Sequence, residues 1–122
     1  MRAAGTARAL RSGTVELAAK KGGVARFGDI VIDFNGMEVH RSGRLIPLTY
    51  LEFSLLRLLV ANPRHVFSRE DLIRSAWPRG RRHTLRTVDT SIWRLRRKLE
   101  QDPACPVHFQ TVRHAGYKFV PS

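Results

Sequence analysis

The stretch TLRTVDTSIWRLRRKLEQ, residues 84–101, carries two chemistries at helical spacing. Val88, Ile92, Leu95 and Leu99 recur at i, i+4, i+7 and i+11, which puts them on one face of an α-helix. Thr87, Thr90, Ser91, Arg94 and Arg97 or Lys98 fall on the other face. Thr84 can cap the helix, so the spacing predicts a helix over about 85–101 with one face in a core and the other presented to solvent or a ligand.

Upstream, the same logic yields two more helices. Thr49 with Glu52 forms a capping box, Leu48 can staple against Phe53, and the stripe Leu51, Leu55, Leu58 and Leu59 runs until Asn62-Pro63 stops it, predicting a helix from Tyr50 to Ala61. Ser68 with Asp71 repeats the box, and Phe67 can staple to Leu72. A shorter helix then carries Leu72, Ile73, Ala76 and Trp77 as far as Pro78. Before Leu48 the period shortens. Ile30 to Asp33, Glu38 to Arg41 and Arg44 to Ile46 are β-prone pieces separated by Asn35-Gly36 and Ser42-Gly43, an antiparallel meander whose Asn-Gly pair tolerates positive φ at both residues. After Asp102-Pro103, Val107 to Arg113 and Tyr117 to Val120 read as two strands joined by His114-Ala115-Gly116, with Gly116 free to supply positive φ. Residues 1–23 hold glycine, alanine and basic residues without an apolar period and read as a flexible basic arm or linker, leaving 24–122 as the folded domain.

The composition limits what such a domain can bind. The 122 residues include 22 Lys and Arg against 10 Asp and Glu, a formal charge of +12. At 43% hydrophobic the chain buries a core and is no disordered basic tail. A single cysteine, Cys105, excludes an internal disulfide and a multi-cysteine zinc site and points to a reducing, cytoplasmic compartment. The charge is focused: residues 79–98 hold eight basic residues against Asp89, which reads as an intramolecular partner for an arginine. An anionic partner follows, with nucleic acid ahead of an acidic protein or a membrane surface. A helix with an apolar inner face and short polar residues plus arginines outside fits the major groove of B-DNA, about 12 Å wide, where arginine offers forked donors to guanine or phosphate. An enzyme is disfavoured. His40, His65, His83, His108 and His114 are scattered, and no nucleophile motif, metal-ligand spacing or carboxylate pair is present, so no catalytic residue, metal or cofactor is expected.

Four ordered blocks carry a family resemblance. Leu48-Thr49-Tyr50-Leu51-Glu52-Phe53, Val66-Phe67-Ser68-Arg69-Glu70-Asp71-Leu72, Arg86-Thr87-Val88-Asp89 leading to Leu95-Arg96-Arg97-Lys98-Leu99-Glu100, and Thr111-Val112-Arg113 with Gly116-Tyr117-Lys118-Phe119 resemble the OmpR/PhoB-type winged-helix output domain of two-component response regulators. The resemblance spans roughly Val24 to Pro121. It implies an α+β fold: a winged helix-turn-helix with an amino-terminal four-stranded antiparallel sheet, a three-helix core and a carboxy-terminal β-hairpin wing at 111–119. It implies sequence-specific binding of double-stranded DNA in transcription regulation, the third helix in the major groove and the wing at the minor groove. Carried over, Thr90, Ser91, Arg94 and Arg113 meet bases. Arg86, Thr87, Arg97, Lys98 and Tyr117 meet the backbone, Tyr117 having core packing as its equal alternative, and Arg82, outside the four blocks, is expected at the backbone from the charge of its own loop. The family pairs head to tail on direct-repeat half-sites about 10 to 11 base pairs apart and is monomeric in isolation.

The wing departs from the family's glycine, any residue, glycine pattern, since His114 holds the first position and disfavours positive φ. The loop 78–84 is strongly cationic, which favours phosphate contact over a contact with RNA polymerase. Trp93 is expected at the border of the recognition face, where its ring either touches a thymine methyl or sugar or packs against the wing. No receiver domain precedes Val24, so the chain reads as an isolated output domain or a stand-alone regulator. A non-specific RNA- or DNA-binding protein is the alternative function, although Phe109, Tyr117 and Phe119 lack the alternation of a stacking platform.

Overall fold

The computed structural model describes residues 19–77 and 84–121. Four strands open it: β1 (Val24–Phe27), β2 (Ile30–Asp33), β3 (Glu38–Arg41) and β4 (Arg44–Ile46), antiparallel in sequential order. Three helices follow, α1 (Tyr50–Ala61), α2 (Arg69–Ala76) and α3 (Leu85–Leu99), and then the hairpin β5 (Phe109–Val112) and β6 (Gly116–Phe119). This is the winged helix-turn-helix that the sequence blocks imply.

The inner face of the sheet, Ala25, Phe27, Ile30, Ile32 and Val39, is buried. Phe27 meets Phe119 of the hairpin edge-on at 4.9 Å and Phe34 meets Phe53 of α1 at 6.1 Å, so one aromatic-rich core joins the sheet, the helices and the wing. Both capping boxes form. The Thr49 hydroxyl accepts from the Glu52 amide at 3.1 Å while the Glu52 carboxylate accepts from the Thr49 amide at 3.0 Å, and Ser68 with Asp71 repeats the exchange.

The turns divide differently from the sequence expectation. Ser42 (φ 50°) and Gly43 (φ 81°) form the two-residue, positive-φ connection between the paired Arg41 and Arg44. At Asn35-Gly36 the Asp33 carboxylate accepts from both following amides, at 3.1 and 3.0 Å, and the left-handed residue is Met37 (φ 55°). Asp33 thus supplies the local acceptors that delay the reversal by one residue.

Three boundaries also move. Trp77 is the extended cap of α2 and not part of it, because a residue before proline is held out of the helical region. α3 ends at Leu99, short of Gln101, with Glu100 as its extended cap. Residues 19–21 are helical, Ala19 is buried and its carbonyl accepts from Arg57 Nε at 3.1 Å, so the last part of the expected arm is docked on α1. Residues 1–18 of that arm lie outside the described residues. Among the described residues no helix is long and apolar enough to cross a membrane.

Candidate nucleic-acid interface

α3 is the element on which the charge reading converges, and its core face is as the spacing predicts: Val88, Ile92, Leu95 and Leu99 are all buried. At about 100° per residue, the positions opposite that stripe are Arg86, Thr90, Trp93 and Arg97, which share its spacing two residues earlier. Arg86, Trp93 and Arg97 are exposed and Thr90 is half-buried, its hydroxyl donating to the Arg86 carbonyl at 3.1 Å. Arg94 is exposed beside them. Trp93, expected at the border of this face, stands on its midline.

Ser91 is a correction. It is 3% exposed, on the core side of the helix. Its position three residues after Val88 and four before Leu95 makes it a neighbour of both core side chains, and that spacing was the available signal.

Each flank of the exposed stripe is clamped. On one side Lys98 Nζ donates to the buried Glu52 carboxylate at 2.6 Å, tying α3 to the first turn of α1. That engagement gives Lys98 a partner within the domain, against the expectation of a residue free to meet the DNA backbone. Arg41, itself paired with Asp29 at 3.3 Å, donates to the Lys98 carbonyl at 3.2 Å and links the sheet to the same end of α3. Between this clamp and the stripe lies an open cleft of about 510 Å³ lined by Thr49, Glu52, Trp93, Arg94, Arg97 and Lys98.

On the other side Arg96 Nε donates to the Phe109 carbonyl and its terminal nitrogen to the Thr111 hydroxyl, both at 2.8 Å, holding β5 against α3. Asp89 completes that flank. Its carboxylate accepts from Arg69 of α2 at 2.8 Å and from the Tyr117 hydroxyl of β6, so it is the intramolecular partner expected for it. Partial burial pushes the Asp89 carboxyl up, but the Tyr117 hydroxyl and the Arg69 guanidinium outweigh it and hold the group below the ordinary carboxylate range. Burial, and then the adjacent carboxylate, push the Tyr117 phenol up. The Arg69 and Arg96 guanidinium carbons lie 6.0 and 5.7 Å from the Tyr117 ring centre. Tyr117 is therefore buried and engaged, the core-packing alternative of its sequence reading. It lies two residues before buried Phe119 on one strand face, a period-two signal present in the sequence.

Gly116 accounts for the depth of the wing. Phe67 and Tyr117 exchange backbone hydrogen bonds at 2.8 and 2.9 Å, and a Cβ on Gly116 would lie 1.9 Å from the Phe67 carbonyl oxygen. His114 takes the left-handed conformation (φ 66°) despite its side chain, and Arg113 before it is exposed at the hairpin tip. Glu100 is the residue the sequence reading missed. It is buried and accepts from the amides of Val107, His108 and Phe109 at 3.0, 2.8 and 2.7 Å, anchoring the wing's entry to the end of α3. An acid at a helix carboxy-terminus opposes the helix dipole, and that misfit was its only signal. Arg82 and the rest of residues 78–83 lie outside the described residues. Among the described residues no cluster of His, Cys, Asp or Glu could hold a metal ion.

The sequence model of the family described as transcriptional regulatory protein, C terminal, matches residues 43–119. The chain belongs to this family. Among relatives, the DNA-binding response regulator MtrA of Mycolicibacterium smegmatis is 45% identical over 96 residues, covering 77% of this chain and 41% of MtrA. The response regulator DrrB of Thermotoga maritima, an OmpR/PhoB homologue, superimposes with a TM-score of 0.76 at 34% identity, covering 93% of this chain and 51% of DrrB. The Klebsiella pneumoniae RstA DNA-binding domain, solved in complex with the RstA box, superimposes with a TM-score of 0.70 at 31% identity, covering 81% and 98%. The chain thus spans about two fifths of MtrA's length and nearly the whole of the RstA domain. The OmpR/PhoB resemblance drawn from four sequence blocks is the family relationship that these comparisons show.

Proposed function

We propose that this transcriptional-regulator domain is the sequence-specific, double-stranded-DNA-binding output domain of a cytoplasmic two-component response regulator, a binding module and not an enzyme. The observation that carries the reading is the exposed face of α3. Arg86, Thr90 and Arg97 with Arg94 stand opposite a buried apolar stripe, clamped between α1 and a wing whose tip presents Arg113. Relatives named as DNA-binding, and an RstA domain held on DNA, support it. In this reading Thr90 and Arg94 face base edges in the major groove and Arg113 enters the minor groove, while Arg86, Thr87 and Arg97 contact phosphate. Arg82 adds a phosphate contact from the loop 78–84, contact of that loop with RNA polymerase being the alternative. The domain is monomeric alone and pairs head to tail on direct repeats, under the control of a receiver.

Selection of binding sites from a random duplex pool tests this. Two half-sites recurring about 10 to 11 base pairs apart are expected. Arg94→Ala should erase base preference at one position, whereas Arg86→Ala should weaken specific and random duplex alike. A pool with no enriched sequence overturns the reading in favour of non-specific nucleic-acid binding.

A further inference from the structure

Trp93 is 52% exposed on the midline of the α3 face, a large apolar group among cations. Exposed single apolar residues are ordinary, but this one is held in place: the Arg97 guanidinium carbon sits 4.8 Å from the indole centre. That stacking favours one placement of a side chain with only two rotatable bonds, which lowers the ordering that binding has to supply. The restrained ring borders the open cleft toward α1, with Arg94 beside it. Among the described residues the Arg97 guanidinium makes no hydrogen bond, so its donor edge stays available while its face covers the indole.

Resting on the DNA-binding reading, we propose that Trp93 is a specificity-determining residue whose indole, pre-positioned by Arg97, packs against the 5-methyl group of a thymine in the major groove. The major-groove edge of thymine is the one base edge with an apolar group, and an indole has no acceptor and only one donor with which to read the others. The neighbouring cations fit a polyanion and would penalise burial of this face against a basic or neutral protein surface. Trp93 adds discrimination of an apolar group to the hydrogen-bonding groups that Thr90 and Arg94 read.

Deoxyuridine differs from thymidine by this methyl group alone. In duplexes selected from a random pool, replacing thymines one at a time should weaken the full 122-residue chain about fourfold at one position, the worth of one buried methyl. Trp93→Ala, which leaves the core untouched, should bind thymine and deoxyuridine duplexes equally at that position. Only two tryptophans are present, and Trp77 is buried, so acrylamide quenching reports Trp93 and should fall when saturating duplex is added. Selected duplexes with no thymine-to-deoxyuridine effect, an effect that survives in Trp93→Ala, or an indole equally quenchable on the duplex would each overturn the proposal. The last would hand this face to a protein partner. A random pool that yields no preferred sequence overturns the DNA-binding reading itself, a separate result.

Discussion

Gly116→Ala should be among the most damaging single-methyl additions this fold can receive, and Gly43→Ala among the mildest. Both glycines have positive φ, 146° and 81°, so an alanine at either is strained. The surroundings differ completely. A Cβ at Gly43 has nothing within 4 Å, whereas at Gly116 it would sit 1.9 Å from the Phe67 oxygen, 2.8 Å from the Phe67 carbonyl carbon and 2.9 Å from Ser68 Cα. Those atoms are backbone, pinned by the two Phe67–Tyr117 hydrogen bonds and by the Ser68 cap of α2, so the hairpin must retreat. Backbone strain of about 1–3 kcal/mol and loss of two hydrogen bonds at about 1 kcal/mol each give about 3–5 kcal/mol. At Gly43 only the left-handed penalty applies, partly offset by a stiffer unfolded chain, leaving about 1 kcal/mol. Urea titrations read the difference directly, and a thermal midpoint lowered by roughly 15–25 °C for Gly116→Ala should accompany it. Equal costs for the two variants would refute the close-approach argument, because the clash with Phe67 adds to the positive-φ strain at Gly116 and has no counterpart at Gly43.

Three further outcomes are expected. Asp89 is held below its ordinary carboxylate range, so its contribution is full above the unfolded value of about 3.9 and is lost as pH falls through the lower folded value. Urea midpoints measured between pH 6 and 2 should therefore drop more steeply for the native chain than for Asp89→Asn in that acidic window, and parallel profiles would contradict the assignment. Glu100→Gln places an amide donor against three backbone N–H groups that now share two carboxylate oxygens, and should cost about 2–4 kcal/mol by urea denaturation. An unchanged midpoint would show that the wing's entry is held by other contacts. On duplex DNA, Lys98→Gln should lower stability without changing the slope of log affinity against log salt, since Lys98 already neutralises Glu52, whereas Arg86→Gln should make that slope shallower by about one. Equal slope changes would place Lys98 on the phosphate backbone after all.

The three helices were legible because each start is signalled locally: a hydroxyl, an acid three residues on and a hydrophobic pair around them at Thr49 and Ser68, and the Thr84 hydroxyl ahead of a strict apolar period in α3. Five of the six strands were placed within a residue or two, since β-prone runs alternate with turn residues, whereas β1 was implied only by the family resemblance. What escaped reading depends on contacts between distant segments. Nothing near Glu100 announces that three amides seven to nine residues later will turn toward it. Nothing at Gly116 names Phe67, 49 positions earlier, as the reason a side chain is forbidden. The face of α3 was read with its edge misjudged: treating every polar residue as outward put Ser91 among the readers and Trp93 at the rim, although their angles from the apolar stripe say the reverse.

Charge was the coarsest guide, and the structure divides it. Of the five cations on α3, Arg96 and Lys98 are turned into the domain, one holding the wing and one holding α1, and the lone acid Asp89 brings in a further cation, Arg69, from α2. Arg86, Arg94 and Arg97 remain exposed. The inward cations flank the outward ones, so the groups that aim the helix and the groups that would meet a polyanion belong to one helical surface. The division follows from geometry: positions near 90° from the apolar stripe can reach neighbouring elements, and those opposite it cannot. A substitution at Arg96 or Lys98 should therefore look like a binding defect in any assay that does not also measure folding. Stability and salt dependence have to be read together before a basic residue of this helix is assigned to a ligand.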